Sequence, residues 1–304
     1  MNEPLPPGVR VIERGWLSAN LVLIDGRHRA VVDTGYVSHE AQTVALVEAA
    51  FGAKGPDLLL NTHLHSDHCG GNAALQARFP RLPTLVPPGL ADAVRTWDTQ
   101  ALTYAPTGQR CPRFDLSGLL QPGEQINLGN RPWQIHAAPG HDTHSVILFE
   151  PQSRTLISAD ALWENGFGVV FPEIEGEDAF SAVGATLDLI ESLRPATVIP
   201  GHGAVFAYRP DVMDRSRRRL DAFVRDPLRH ARHAAKVLLK FKLLEVQRQP
   251  LADFLHWAGQ TEYLCILQQR WHPDQSLAGW IGTLLSELQE AEAATLQEGW
   301  VLNR

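Results

Sequence analysis

Three histidines and an aspartate fall within six residues of one another in the stretch Asn61-Thr62-His63-Leu64-His65-Ser66-Asp67-His68-Cys69-Gly70-Gly71. Neutral imidazole nitrogens and a carboxylate oxygen are the ligands that a borderline cation such as zinc prefers. His63 and His65, two residues apart, point to the same side of an extended segment. Asp67 and His68 sit on the turn beyond it and can face a second position. One short peptide can therefore offer two ligands to each of two neighbouring metals. The alternative is a polar loop that is merely rich in histidine, and a closed metal site needs further ligands from elsewhere in the chain.

Such ligands follow short apolar strands at three later places. His141 lies in Ala138-Pro139-Gly140-His141-Asp142-Thr143-His144-Ser145, Asp160 ends Thr155-Leu156-Ile157-Ser158-Ala159-Asp160, and His202 lies in Thr197-Val198-Ile199-Pro200-Gly201-His202-Gly203. In layered α/β proteins strand ends converge on one rim, where these three residues can meet the first cluster. Asp33, in Asp33-Thr34-Gly35 after Ala30-Val31-Val32, has two readings. It either orients a metal ligand through a hydrogen bond or caps the helix that follows.

The elements that must position these groups are legible from periodicity. Strands are expected at Val9–Ile12, Leu21–Ile24, Ala30–Val32 (after the hairpin signal Asp25-Gly26), Leu58–Leu60, Gln134–His136, Val146–Phe149, Thr155–Asp160 and Thr197–Ile199. Helices are expected over residues 38–51, 72–79 and 187–193, and from Arg209 onward the pattern becomes helical. Helices are predicted over 212–224, 228–246, 251–257 and a long one over 276–297, with a closing strand at Trp300–Leu302. Residues 82–120 are irregular and read as an insertion anchored by Trp97, Tyr104 and Phe114, or as a pocket wall. Trp163, Phe167, Val169, Val170 and Phe171, after Asp160, suit either an apolar pocket or the core.

A chain of 304 residues, 44% hydrophobic and 20% charged, is long enough for two globular domains, expected over 1–208 and 209–304. Net charge is −7, yet between Arg215 and Arg248 eleven Lys and Arg face only Asp221, Asp226 and Glu245, a local +8 that leaves −15 elsewhere. That split suggests an acidic catalytic body and a basic appendage. Its basic face (Arg215, Arg217, Arg218, Arg219, Arg229, Arg232, Lys236 and Lys240) suits either a solvated surface or the phosphates of RNA or of a coenzyme A thioester. His230 and His233 are expected on that face. Cys69, Cys111 and Cys265 are too few and scattered for a disulfide framework, which fits a reducing compartment. With no signal-peptide pattern near Met1 and no apolar run of membrane length, a cytoplasmic location without a membrane partner is expected.

The ordered motifs His63-x-His65-x-Asp67-His68, Pro-Gly-His141, Ser-Ala-Asp160 and Pro-Gly-His202-Gly, with the early Asp33-Thr34-Gly35, resemble those of the metallo-β-lactamase-fold hydrolases over roughly Val9 to Val205. The resemblance implies an αββα sandwich with a dinuclear site on the edge between its sheets. It assigns His63, His65 and His141 to one metal and Asp67, His68 and His202 to the other, with Asp160 bridging. The order of the C-terminal elements resembles a winged-helix-like domain of the endoribonuclease subgroup. Two departures stand out: Ala159 where a glycine often precedes the bridging acid, and His144 where a glycine often stands. His144 suits a substrate contact, support of a ligand, or a solvated position. Cys69 reads as a packing residue.

Two divalent cations, zinc by expectation and manganese or iron by compatibility with the same ligands, would bring water to hydroxide near neutral pH and polarise an electrophilic carbonyl. Asp67 is the expected catalytic residue, orienting the attacking water and passing its proton. No Gly-x-Ser-x-Gly elbow competes. Hydrolysis of a small ester, thioester or lactone, its substrate an anion on one reading, is the expected reaction. The alternatives are an endoribonuclease and an iron-dependent oxidoreductase of the persulfide dioxygenase kind. Overall acidity and the lack of an RNA-binding motif favour the small substrate.

Overall fold

The computed structural model describes residues 5–304. Its first sheet holds six strands in sequence order: β1 (Val9–Ile12), β2 (Leu21–Ile24), β3 (Ala30–Val32), β4 (Leu58–Leu60), β5 (Thr84–Val86) and β6 (Gly118–Leu119). β1 to β3 form an antiparallel meander across short turns. From β3 onward the pairing is parallel, because each connection must cross back through helix. These crossovers carry α1 (Glu40–Phe51), then α2 (Ser66–Cys69) with α3 (Asn72–Arg78), then α4 (Ala91–Thr96) with α5 (Tyr104–Thr107).

The second sheet holds β7 (Gln125–Leu128), β8 (Arg131–Ala137), β9 (Val146–Glu150), β10 (Thr155–Ala159), β11 (Thr197–Pro200) and β12 (Phe206–Ala207), again as sequence neighbours. Its one parallel pair, β10 with β11, is joined through α6 (Phe171–Glu175) and α7 (Phe180–Leu193). Side chains alternate between the faces of each strand. Val22, Ile24, Val32 and Leu60 meet Trp133, Ile135, Leu148, Ile157 and Ile199 between the sheets. The intervening Leu21, Leu23, Val31 and Leu59 meet Val47, Phe51 and Leu75 on α1 and α3. On the far side Ile147, Leu156 and Val198 meet Val183, Leu187 and Ile190 of α7. Each buried aliphatic side chain contributes roughly 1.5–3 kcal/mol of transfer free energy. Two sheets each needing two apolar faces make the αββα sandwich.

The C-terminal part is mainly helical: α8 (Pro210–Arg225), α9 (Pro227–Val246), β13 (Arg248–Pro250), α10 (Leu251–Gln260), α11 (Glu262–Trp271), α12 (Leu277–Glu290), β14 (Ala294–Gln297) and β15 (Trp300–Asn303). α8 sends Val212, Met213 and Phe223 into the core beside α7. α9 to α12 enclose a separate core that also takes Val169 and Ile174. Asp226 caps α9 and Ser276 caps α12 through hydrogen bonds from Arg229 N and Gly279 N.

The long helix expected over 276–297 is shorter than its pattern suggested. The apolar stripe ends at Leu288, and Ala294–Gln297 pairs with β15 instead. The two residues between them, Glu298 and Gly299, both have positive φ (51° and 79°), the tight hairpin turn that Gly favours. Helix 187–193 in turn begins earlier, at Phe180, and α11 and β13 carry no strong sequence signal. Among the described residues, no helix is long and apolar enough to cross a membrane.

Candidate metal centre and active site

The strand ends deliver the candidate ligands to one place. His63 follows β4, α2 carries Asp67 and His68, His141 lies between β8 and β9, and Asp160 and His202 follow β10 and β11. Ligand atoms of His63, His65 and His141 lie within 4.8 Å of one another, and so do those of Asp67, His68 and His202. Oδ2 of Asp160 stands between the two sets, 3.4 Å from His141 Nε2, 3.5 Å from His68 Nε2 and 3.7 Å from His202 Nε2. All seven expected ligands are thus brought together. His63 Nε2 and His68 Nε2 are buried without a hydrogen-bond partner, their rings 3.9 Å apart. An unpaired buried nitrogen costs about 1–3 kcal/mol, and two grouped with Asp160 fit a cation there.

Neighbouring groups fix which nitrogen each imidazole presents. Nδ1 of His68 donates to Asp33 Oδ2 at 2.8 Å, His141 Nδ1 to Val169 O at 2.5 Å and His202 Nδ1 to Gly15 O at 3.1 Å. Each bond turns Nε2 toward the centre, where a cation would meet it. His65 is reversed, with Nδ1 2.8 Å from His141 Nε2 and Nε2 3.9 Å from Asp142 Oδ2. Asp33 is itself held by Thr62, whose N and Oγ1 donate at 2.9 and 2.8 Å. It therefore orients a candidate ligand and does not cap a helix.

Small residues make the room. A Cβ on Gly201 would overlap Asp160 Oδ1, and one on Gly168 would overlap His141 Nδ1. Ala159 has φ +47°, which explains why glycine suits the position before this acid. Trp163 Nε1 donates to Asp160 Oδ1 at 3.1 Å.

Burial holds His63 well below its ordinary pKa, and burial with His141 lowers His65 to about 4. Burial opposes ionisation of Asp160, but His202 and His68 outweigh it and keep the carboxyl well below the usual range. Asp67 is lowered too, burial being overcome by the hydrogen bond with His202. Burial disfavours charge on His68, yet Asp160 and Asp33 raise it well above its ordinary value. Burial works against charge on His202 as well, and Asp160 with Asp67 again raises it; a divalent cation would take the place of the protons that these carboxylates hold on His68 and His202.

The centre opens into a cavity of about 490 Å³. Asp67, partly exposed at its floor, lies 3.1 Å from His202 Nε2. Trp16, Trp163 and Phe171 rise beside the histidines, and Val237, Leu238 and Phe241 of α9 close the far wall. Trp16 stacks on His202 with ring centroids 5.6 Å apart, although 57% of it is exposed. Trp163, Val169 and Phe171 of the aromatic stretch line this cavity, while Phe167 and Val170 are core. From the irregular segment, Trp97, Tyr104 and Phe114 anchor a small core, and Thr107 and Gln109 reach the cavity.

Several residues differ from expectation or escaped it. Trp16, Asp142 and the α9 wall carried no signal, since their role depends on long-range packing. His230 is not on the basic face: it is buried against Phe180 and Phe223 and accepts from Val170 N at 3.1 Å. His144 packs its ring where a Cβ on Gly89 would stand. Cys69 is buried beside Tyr104 and Cys111, and burial pushes its thiol well above the ordinary value.

Residues 14–202 match the family model described as metallo-beta-lactamase superfamily. Among curated proteins the chain is 27% identical over 218 residues to the acyl-coenzyme A thioesterase MBLAC2 of Homo sapiens, covering 62% of this chain and 74% of that protein. It is 30% identical over 142 residues to a hydroxyacylglutathione hydrolase of Synechococcus sp., covering 46% of each. Among solved structures, a beta-lactamase domain protein from Burkholderia ambifaria superposes with a TM-score of 0.59 at 20% identity, covering 99% of this chain and 94% of that one. A metallo-beta-lactamase family protein from Thermus thermophilus gives 0.57 at 17% identity, covering 99% and 100%.

Proposed function

The chain belongs to the metallo-beta-lactamase superfamily, and we propose that it is a metal-dependent hydrolase of small thioesters. The observation that carries this reading is the candidate metal centre at the floor of an apolar-walled cavity. His63, His65 and His141 would hold one ion and Asp67, His68 and His202 the other, with Asp160 between them. Two divalent ions, zinc by the nitrogen-rich donor set, would supply Lewis acidity toward the substrate carbonyl and toward water.

The chain's own groups do the rest. Asp67 orients the attacking water and takes its proton, with His202 fixing its carboxylate. Trp16, Trp163 and Phe171 hold the acyl group and exclude bulk water. A thiol has a pKa near 8.5, so a thiolate leaves with little protonic help, and one acid suffices. The two named relatives above are both named for thioester substrates, which supports thioesters over oxygen esters and lactones.

Residues 1–208 serve as the catalytic unit in this reading. Residues 209–304 are winged-helix-like in placing the β14–β15 hairpin after their helices, and they supply the cavity's far wall. Three free thiols fit a cytoplasmic enzyme. The endoribonuclease alternative rests on the basic helices α8 and α9 and on that order of C-terminal elements.

The test is elemental analysis of protein purified without added metal, then hydrolysis of matched thioesters, oxygen esters, lactones and short RNA. Two ions per chain and a thioester preference are expected. A metal-loaded enzyme that leaves every thioester at the buffer rate would overturn the proposal.

A further inference from the structure

Beside the metal-centre cavity lies a second one of about 550 Å³, and Arg219 and His233 line both. Its other walls are cationic: Arg218 from α8, and Arg229, Arg232 and Lys236 from α9. The spacing explains the convergence. Arg229, Arg232, His233 and Lys236 fall at i, i+3, i+4 and i+7 on one face of α9. The turn at Asp226-Pro227 folds that face back toward Arg218 and Arg219.

Neutralisation inside the protein is incomplete. Glu287 serves both Arg232 and Lys236. Among the described residues, no carboxylate pairs with Arg218, Arg219 or Arg229 within 4.0 Å. Arg219 is held in place without one: its guanidinium donates to His233 Nε2 at 2.7 Å and lies over the rings of Phe167 and Phe223, 5.5 and 5.3 Å from their centroids. Its Nε is buried with no hydrogen-bond partner. Five cations against one carboxylate, one of them pre-positioned and short of an acceptor, make a site for a multiply charged anion.

We infer that this second cavity binds the phosphorylated arm of the thiol carrier, so that the substrate is an acyl thioester of a nucleotide-bearing thiol such as coenzyme A. The inference rests on the thioester reading and adds the carrier to it. Several phosphate charges match the unneutralised cations, whereas a peptide thiol such as glutathione offers two carboxylates and an ammonium. About 550 Å³ also suits a nucleotide-sized group. The acyl end would then reach the metal centre past Arg219 and His233, which border both spaces.

The experiment compares an acyl-coenzyme A with the same acyl group on pantetheine, which lacks the phosphates, using metal-loaded wild-type protein and the double variant Arg218→Gln/Arg229→Gln. Both arginines are exposed, and no ion pair ties their side chains to the fold. Wild type should favour the coenzyme A thioester in kcat/KM by about tenfold or more, chiefly through KM, since arginine–phosphate contacts are charge-assisted hydrogen bonds. In the variant that ratio should collapse toward one. Equal kcat/KM for the two thioesters in wild type, or an equal loss on both in the variant, would overturn the inference. Calorimetric titration with adenosine 3′,5′-bisphosphate separates the two levels: binding by wild type at least tenfold tighter than by the variant supports the cavity even if no thioester is cleaved. No binding overturns it even if both thioesters are cleaved. Tighter binding of a short single-stranded RNA, abolished by the same variant, would also overturn it in favour of a nucleic-acid site.

Discussion

Oδ2 of Asp33 lies 2.8 Å from Nδ1 of His68, and the same carboxylate takes both donors of Thr62. The first residues after β3 therefore set the ring that serves the second candidate metal position, with Asp67 and His202. Asp33 touches neither substrate nor cavity, so it acts through His68. Asp33→Ala should weaken metal binding about 10–100-fold, the usual effect of losing such a partner. Competition with a chromophoric chelator measures this, and affinity equal to wild type would show that His68 needs no orienting group.

Asp67→Ala should lower kcat by about 10²–10⁴ if it both orients water and moves its proton. Circular dichroism and thermal melting should show the fold intact, because the side chain lies at a cavity floor and not in a core. Wild-type turnover in this variant would remove Asp67 from the mechanism.

Gly201→Ala tests the room made for Asp160. The new methyl would overlap Asp160 Oδ1 and stand 2.9 Å from His68 Cε1, so the carboxylate must move. Less than one tightly bound ion per chain is expected by elemental analysis, in a protein that still folds. A full complement of metal would mean that Asp160 is dispensable for holding it.

Much of this centre was legible because ligands are chemically distinctive and strand ends converge whatever the loops do. His141, Asp160 and His202 each follow an apolar strand, and the mostly apolar runs of β2, β9 and β10, buried along their whole length, place the sheets. Trp16 and Phe241 were not legible. Their chemistry is ordinary, and only tertiary packing brings an N-terminal loop and a C-terminal helix over the same centre. His230 misled for the same reason: it sits among arginines in sequence but faces Phe180 in space. The helix predicted through Gln297 failed because the Glu298-Gly299 turn outcompetes one more helical turn once β15 is available to pair.

Ala159 bears a backbone strain that can be relieved. An L-residue in the left-handed region costs about 1–2 kcal/mol, and φ is +47° here. Ala159→Gly removes that cost but gives the unfolded chain about 0.4–1 kcal/mol of entropy. The net expectation is a stabilisation of up to about 1.6 kcal/mol in chemical denaturation, with metal content unchanged. A destabilised variant would show that the Ala159 methyl, which is buried, contributes more packing than its backbone loses.

The pH dependence of stability carries a separate signature of the buried helix face. Burial, with a smaller effect of Arg219, lowers His230 to about 4 in the folded protein, against about 6.5 for a free histidine. Above pH 6.5 the imidazole is neutral in both states and its contribution is fully present. Between about 6.5 and 4 the unfolded chain takes up a proton that the folded chain refuses, so stability falls as the pH falls through that window. His233, lowered to about 3 by burial and then by Arg219, adds in the same direction. His230→Gln keeps an acceptor for Val170 N but cannot titrate. The loss of denaturation free energy between about pH 7.5 and 5 should therefore be smaller in the variant than in wild type, measured on chelator-treated protein so that metal release does not contribute. Identical losses would mean that His230 is protonated in the folded state and that the Val170 N–H has another acceptor.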